Sequence, residues 1–400
     1  MPAALSYSGH WLLEPDVLFL NHGSFGACPR AVLQVQQQWR ERLEREPVRF
    51  FVSELEPLLD TARDRLANLI GADPSLLAWV PNATAGVNAV LRSLPFHPGD
   101  ELLTTDHEYN AGHNALEFVA RRAGARVVVA QVPFPLHDPD QVIEAVLGAA
   151  TPKTRLALLD HVTSQTGLIL PVKRLVRELD ARGIDTLIDG AHAPGMLPLN
   201  LGALDAAYYT GNCHKWLCSP KGAGFLWVRR DRQDRIRPLP ISHGANSSRR
   251  DRSRFHLEFD WTGTFDPTPI LSVGEAIRFM GSLLPGGWPE LMAANRSRAL
   301  AARRILCETL EISPPAPDAV IGALASLPLP DGPPAPRASA LDQDPLQEAL
   351  LARYRIQVPV IAWPEPPRRL IRISSQIYNQ LDQYRVLARA LAEILRRGPA

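Results

Sequence analysis

Lysine is scarce in this chain. Among 43 basic side chains the lysines are Lys153, Lys173, Lys215 and Lys221. Arginine keeps its proton and cannot serve as an amine nucleophile. A chain that uses arginine for general charge keeps lysine where an amine is needed. Lys215 and Lys221 both fall in GNCHKWLCSPKGAG, 211–224, beside Cys213, His214 and Cys218. A metal site, a redox pair, a phosphate loop and a covalent lysine all compete there. Structural zinc takes four ligands at short paired spacings. No second pair lies near this one, so the cysteines read as buried thiols and no metal is expected. SPKGAG lacks the GxxxxGK[ST] order and leads into a strand rather than a helix. Lys221 therefore reads as a turn residue, and Lys215 remains as the chemical amine.

Three other stretches supply what such an amine would need. In PNATAGVNAV, 81–90, a strand ends and a helix starts near Thr84. Amides and dipole at a helix start attract phosphate, although ordinary capping gives the same pattern. In TLIDGAHAPG, 186–195, Asp189 ends an apolar strand and His192 follows in the turn. Lys215 comes one candidate strand later. In RRLIRISSQ, Arg372 alternates with Ile371 and Ile373 on a strand. An inward arginine there calls for an anion, and a charged hydrogen bond contributes about 1.5–3 kcal/mol; a solvent-facing arginine is the plainer alternative. A strand-end carboxylate, a later lysine and an upstream phosphate-binding turn point to pyridoxal 5′-phosphate (PLP). Its aldehyde condenses with a lysine amine, and its pyridine nitrogen needs a buried carboxylate to stay protonated. Its phosphate needs a helix start. The released lysine can then move a proton at the substrate Cα.

The elements that must position these residues follow from apolar spacing. Residues 29–46 and 53–70 have helical periodicity. After them, apolar runs at 76–80, 101–105, 155–160 and 184–189, with RVVVAQV, DAAYYTG and AGFLWV, alternate with amphipathic helices. That alternation predicts an α/β layer around a mostly parallel sheet, with ligands at the carboxyl ends of its strands. After about residue 270 the pattern changes to helices near 269–283 and 287–310. A proline-rich run at 313–339 follows, whose apolar segments predict short strands and turns. LQEALLARYRI, LIRIS and a final helix complete a smaller α+β domain. A chain of 400 residues has room for two or three domains. A net charge of +1 without a basic stripe gives no expectation of nucleic-acid binding. The N-terminus lacks a signal-peptide pattern, and no apolar run is long enough to span a membrane. A cytoplasmic protein is expected.

The chain resembles the class V aminotransferase family of fold-type I PLP enzymes, close to the isopenicillin N epimerase-like group. The resemblance rests on FLNHGSFGACPRAV, PNATAGVNAV, TTDHEYNA, DHVTSQTGLILP, LIDGAHAPG, YYTGNCHKWLCSPKGAGFLWV, WTGTFDPTP and LIRISSQIYN. It covers almost the whole chain. It implies a large PLP-binding domain at 20–268 and a small domain formed by 1–19 with 269–400. It implies Lys215 as the Schiff-base lysine, Asp189 as the partner of the pyridinium nitrogen and His192 at the ring hydroxyl. Ala83 and Thr84 would hold the phosphate, with donors from Asn212 and His214. Thr264 would reach the phosphate of a neighbouring subunit, which makes a homodimer with shared sites the expected unit. Tyr109 or His107 would cover the ring, with Tyr109 favoured because a flat ring gains from stacking. Ser164, or alternatively Thr163, would approach the ring oxygen. Arg372 would bind the substrate carboxylate, and Asn21 and His22 belong to the loop that closes over it. Arg49, Tyr208 and Trp261 are candidates for lining the entrance. Cys28, Cys213, Cys218 and Cys307 do not match the mobile-loop cysteine of the related desulfurases.

The expected activity is that of a PLP enzyme acting on an amino-acid or peptide-like substrate. Racemisation or epimerisation and β-elimination by C–S lysis, as in cysteine desulfhydrases, lead, and transamination follows. A PLP-binding regulatory protein is the non-enzymatic alternative. The Lys215, Asp189 and Arg372 set favours catalysis.

Overall fold

The computed structural model describes residues 7–332, 334 and 343–397. Residues 1–6, 333, 335–342 and 398–400 of the expected small domain, among them the end of the proline-rich run, lie outside them. A short strand, β1 (Leu18–Phe19), follows the N-terminal segment. Seven strands then build the main sheet: β2 (Leu77–Val80), β3 (Glu101–Thr105), β4 (Arg126–Ala130), β5 (Thr154–Asp160), β6 (Asp185–Asp189), β7 (Tyr208–Asn212) and β8 (Gly224–Val228). Their spatial order is β2-β8-β7-β6-β5-β3-β4, and only β8 runs against its neighbours. Helices fill the connections, among them Ala83–Ser93, Asn110–Ala123, Asp140–Ala149 and Val172–Asp180.

The strands read as unbroken apolar runs because both faces of the sheet are covered. Leu156, Leu158, Leu187 and Tyr208 pack into one core layer. Ala157, Leu159, Ile188 and Tyr209 point to the other, which also holds Leu59, Leu66 and Ile70 of the helix Leu55–Ile70. Tyr208, expected near the entrance, is therefore fully buried in a central strand. Adjacent residues of a strand face opposite layers, and here both layers are core.

The C-terminal part is the smaller α+β unit. Strands β9 (Leu324–Leu329), β10 (Ile356–Gln357), β11 (Val360–Ala362) and β12 (Arg369–Ser374) alternate with helices Pro345–Tyr354 and Leu381–Arg397. β11, β12 and β9 form an antiparallel sheet in that order, while β10 pairs in parallel with β1. β9 therefore lies within the proline-rich run. The pairing of Arg372 with Ser326 sets β12 against β9, and Ser326 Oγ donates to Gln165 O at 2.6 Å. That bond ties the small sheet to the loop after β5.

Helix Ala83–Ser93 lies close against β7 because Gly86 has no side chain. A Cβ at Gly86 would stand 2.1 Å from Thr210 Oγ1. Gly86→Ala should therefore destabilise the protein by about 1–3 kcal/mol through overpacking. Adding Thr210→Ala should recover part of that loss. Denaturant midpoints of both variants check this; equal midpoints for Gly86→Ala and the parent would contradict it.

Candidate active site

The sheet order makes β6 and β7 neighbours, with Asp189 paired to Thr210. Asp189 closes β6, and the chain leaving β7 at Asn212 reaches Lys215 three residues later, so both arrive at the same edge of the sheet. Lys215 Nζ lies 3.2 Å from His192 Nε2, and Trp216 Nε1 donates to His192 Nδ1 at 3.4 Å. Burial lowers the Lys215 pKa to about 8; Asp189 and Asp160 pull it up, and Arg372 pushes it down. Burial, followed by the charges of Lys215 and Arg372, also holds His192 neutral.

Asp189 is buried, and its Oδ1 accepts the Ala191 amide at 2.8 Å. Glu108 and Asp160 lie beside it, all three carboxylates coming within 4.8 Å of one another. Burial raises the pKa of each, and the neighbouring acids raise Glu108 and Asp160 further. Glu108 Oε1 and Asp160 Oδ2 have no hydrogen-bond partner. Like charges this close do not all ionise, so the trio holds protons or faces a cation. Asp160 ends β5 as Asp189 ends β6, and the same strand-end rule would have found it in the sequence.

The phosphate-type turn is also in place. Asn82 caps helix Ala83–Ser93 by accepting the Ala85 amide at 2.9 Å. Asn212 Oδ1 accepts the Ala83 amide at 2.8 Å, which joins the helix start to the end of β7. Thr84 is exposed at that start. His214 has its Nδ1 3.3 Å from Ala223 O. In the neutral ring that contact uses the single proton, so His214 donates to a backbone carbonyl and not toward the helix start. Burial lowers its pKa to about 4.

Arg372 is 3% exposed. It donates through Nη1 to Ser164 O and Oγ, and through Nη2 to Ser24 Oγ at 2.8 Å. Ser24 Oγ donates in turn to Asn21 Oδ1 at 2.6 Å. The Arg372 Nε hydrogen has no acceptor. Among the described residues no carboxylate pairs with this guanidinium, and burial lowers its pKa to about 10. Ser164 thus stands at Arg372, while the Thr163 hydroxyl is engaged with Thr166 Oγ1 and the Leu168 amide.

Other expected residues take different places. His22, expected beside the substrate, turns inward and is 0% exposed. Its Nε2 donates to Lys215 O at 3.0 Å, and its Nδ1 accepts from Tyr378 OH at 2.8 Å. It holds the lysine backbone and lines no opening. Gly26, at φ +70°, lets the same segment lie on His214 and Lys215, where a Cβ would meet His214 O at 2.1 Å. His107 is also buried, with Nδ1 at Thr166 Oγ1 and Nε2 at Val132 O. Of the two ring-covering candidates only Tyr109, 44% exposed, faces an open space, and its phenol acts electrostatically on Arg372. Thr264 is exposed in the loop after Trp261 and bonds to none of this cluster. Arg49 is exposed and pairs with Glu54 at 3.1 Å, while Trp261 packs on Phe51. Cys213 and Cys218 are fully buried in separate core clusters.

The sequence model described as Aminotransferase class-V matches residues 21–285. The chain belongs to this family of PLP-dependent enzymes. It is 39% identical to the isopenicillin N epimerase of Amycolatopsis lactamdurans, covering 96% of each chain. It is 28% identical to a probable chloroplastic L-cysteine desulfhydrase of Arabidopsis thaliana, covering 96% of this chain and 84% of that one. A solved structure of a C-DES mutant with glycine covalently linked to its PLP cofactor covers 98% of this chain and 100% of its own, at a TM-score of 0.79 and 23% identity. That likeness establishes the shared fold.

The residues present fit PLP. Two buried carboxylates, Asp189 and Asp160, face a lysine, a helix start sits at the same edge of the sheet, and an arginine has an unused donor. The Lys215 amine should be neutral and reactive above pH about 8. Its labelling by an amine reagent in cofactor-free protein should rise through that pH. A midpoint near the free-lysine value of about 10.4 would contradict the site electrostatics.

Proposed function

We propose that this protein is a PLP-dependent racemase or epimerase acting at Cα of an amino-acid or peptide-like substrate. The observation that carries this reading is Arg372, a buried guanidinium with an unused donor and no carboxylate partner among the described residues, near enough to act on the charge of Lys215. It fits the carboxylate of an α-amino acid whose Cα must reach that amine. Similarity over nearly the full length to a named epimerase supports the choice of reaction.

When bound, PLP supplies an aldehyde for the lysine amine and a protonated ring that draws electrons from Cα. Asp189 would hold the ring-nitrogen proton, with Asp160 and Glu108 limiting where negative charge settles. Thr84 and the side-chain amide nitrogen of Asn212 would hold the phosphate at the helix start, while the Ala83 amide, expected there too, is spent on Asn212 Oδ1. His192 would meet the ring oxygen, and Tyr109 would cover the ring. Arg372, with Ser164, Ser24 and Asn21 around it, would orient the substrate carboxylate. Lys215, freed as a neutral amine, would take the Cα proton. Return of a proton on the opposite face inverts the centre. Thr264, exposed, fits a role toward a second subunit, so a homodimer is part of the proposal, as are a cytoplasmic location and the division into 20–268 and 1–19 with 269–400.

C–S lysis is the second reading, favoured by the likeness to the cysteine desulfhydrase. It would use the same residues and differ in expelling a β-sulfur group. Transamination ranks third. A persulfide-forming desulfurase is disfavoured, because all four cysteines are buried.

A screen of L-amino acids and cysteine derivatives in heavy water separates these outcomes. Epimerisation should give deuterated substrate of mixed configuration. Pyruvate, ammonia and sulfide or thiol instead of it would replace the first reading by lysis, and oxo-acid formed only with an acceptor would replace it by transamination. Arg372→Ala should raise KM by about 10- to 100-fold, the loss of one charged hydrogen-bonding group. An unchanged KM for a carboxylate substrate would remove Arg372 from this role.

A further inference from the structure

We propose that Trp216 is a positioning residue that fixes the tautomer of His192 and, through it, the protonation of the Lys215 amine. The indole nitrogen only donates. Its contact with His192 Nδ1 at 3.4 Å therefore makes Nδ1 an acceptor. In a neutral imidazole the ring hydrogen must then sit on Nε2, the atom 3.2 Å from Lys215 Nζ. A nitrogen that carries a hydrogen and has no free lone pair can only donate. It can bond to Lys215 when the amine presents a lone pair; against an ammonium, N–H would face N–H. The indole thus selects the neutral, nucleophilic amine.

Trp216 is held so that it cannot turn away. It is fully buried, and the His22 ring lies against it at 4.9 Å between centroids. His22 is itself fixed by Tyr378 and by the Lys215 carbonyl. The residue next to the lysine in sequence is therefore locked by the segment that also grips the lysine backbone. The other groups facing the amine divide. Asp189 and Asp160 favour the ammonium, while Arg372 and burial oppose it. Around His192, burial and then the charges of Lys215 and Arg372 oppose protonation, and burial holds the neighbouring His22 and His214 rings neutral. The tautomer lock acts with burial against the two carboxylates. The same lock would present PLP with a donor at His192 Nε2 and not an acceptor.

This inference rests on Lys215 as the amine of the proposed function, but it is read without cofactor. Ring nitrogens of 15N-histidine protein, assigned by the signals lost in His192→Asn, should show His192 with unprotonated Nδ1 and protonated Nε2. That pattern should persist across the pH range in which exposed histidines titrate. In Trp216→Phe, Nδ1 should gain proton character, because Nε2 becomes free to accept from an ammonium. The pH midpoint for labelling Lys215 should then rise by about one unit, the loss of one opposing hydrogen-bond constraint. A protonated Nδ1 in the parent protein overturns the proposal whether or not the variant folds. Unchanged shifts and midpoint in a folded Trp216→Phe overturn it too. A failure of PLP to attach at Lys215 would leave the histidine shifts as described, so the two failures can be told apart.

Discussion

Burying one amine beside two carboxylates, Asp189 and Asp160, and one guanidinium is the constraint around which this molecule is arranged. Desolvation alone would make Lys215 a neutral amine, and the carboxylates alone would make it an ammonium; the two together leave its pKa at about 8. That balance requires strand ends at fixed separations. β5, β6 and β7 lie side by side in parallel, so Asp160, Asp189 and the turn carrying Lys215 reach one edge of the sheet. Covering both faces of the sheet with apolar layers keeps that edge dry at its base, where a buried charge is worth most.

The N- and C-terminal segments close the arrangement from outside the sheet. Asn21 to Gly26 lies on the Lys215 backbone, with His22 bonded to it and Gly26 allowing the close approach. β12 brings Arg372 to Ser164 and Ser24, bridging the small sheet, the loop after β5 and the N-terminal segment. A substrate carboxylate at Arg372 would therefore touch a junction of three parts of the chain. Tyr378, four residues beyond β12, holds His22, so the same stretch of chain carries Arg372 and supports the lysine.

Much of this was legible in the sequence because it follows from strand ends. Asp189, Lys215, Arg372 and the Asn82 turn each sit where an apolar run stops or alternates, and period and position carry that information. Residues whose roles depend on packing direction were not legible. His22 looks like any polar loop residue until Tyr378, more than 350 positions away, is seen to share its proton network. His107 and Tyr109 differ by two positions in one loop, yet one is sealed beneath Trp363 and the other stays exposed. Tyr208 is an entrance candidate from its neighbouring motifs, but a central strand covered on both faces has no solvent face. Glu108 and Asp160 were missed as partners of Asp189, although Asp160 obeys the rule that singled Asp189 out.

The proposed epimerase and lyase chemistries begin with the same lysine, carboxylate and arginine, so they stand or fall together on Lys215. Loading the protein with PLP, reducing it with borohydride and mapping its peptides tests that foundation most directly. The reduced adduct should lie on Lys215. An adduct on Lys153, Lys173 or Lys221, or none at all, would contradict it.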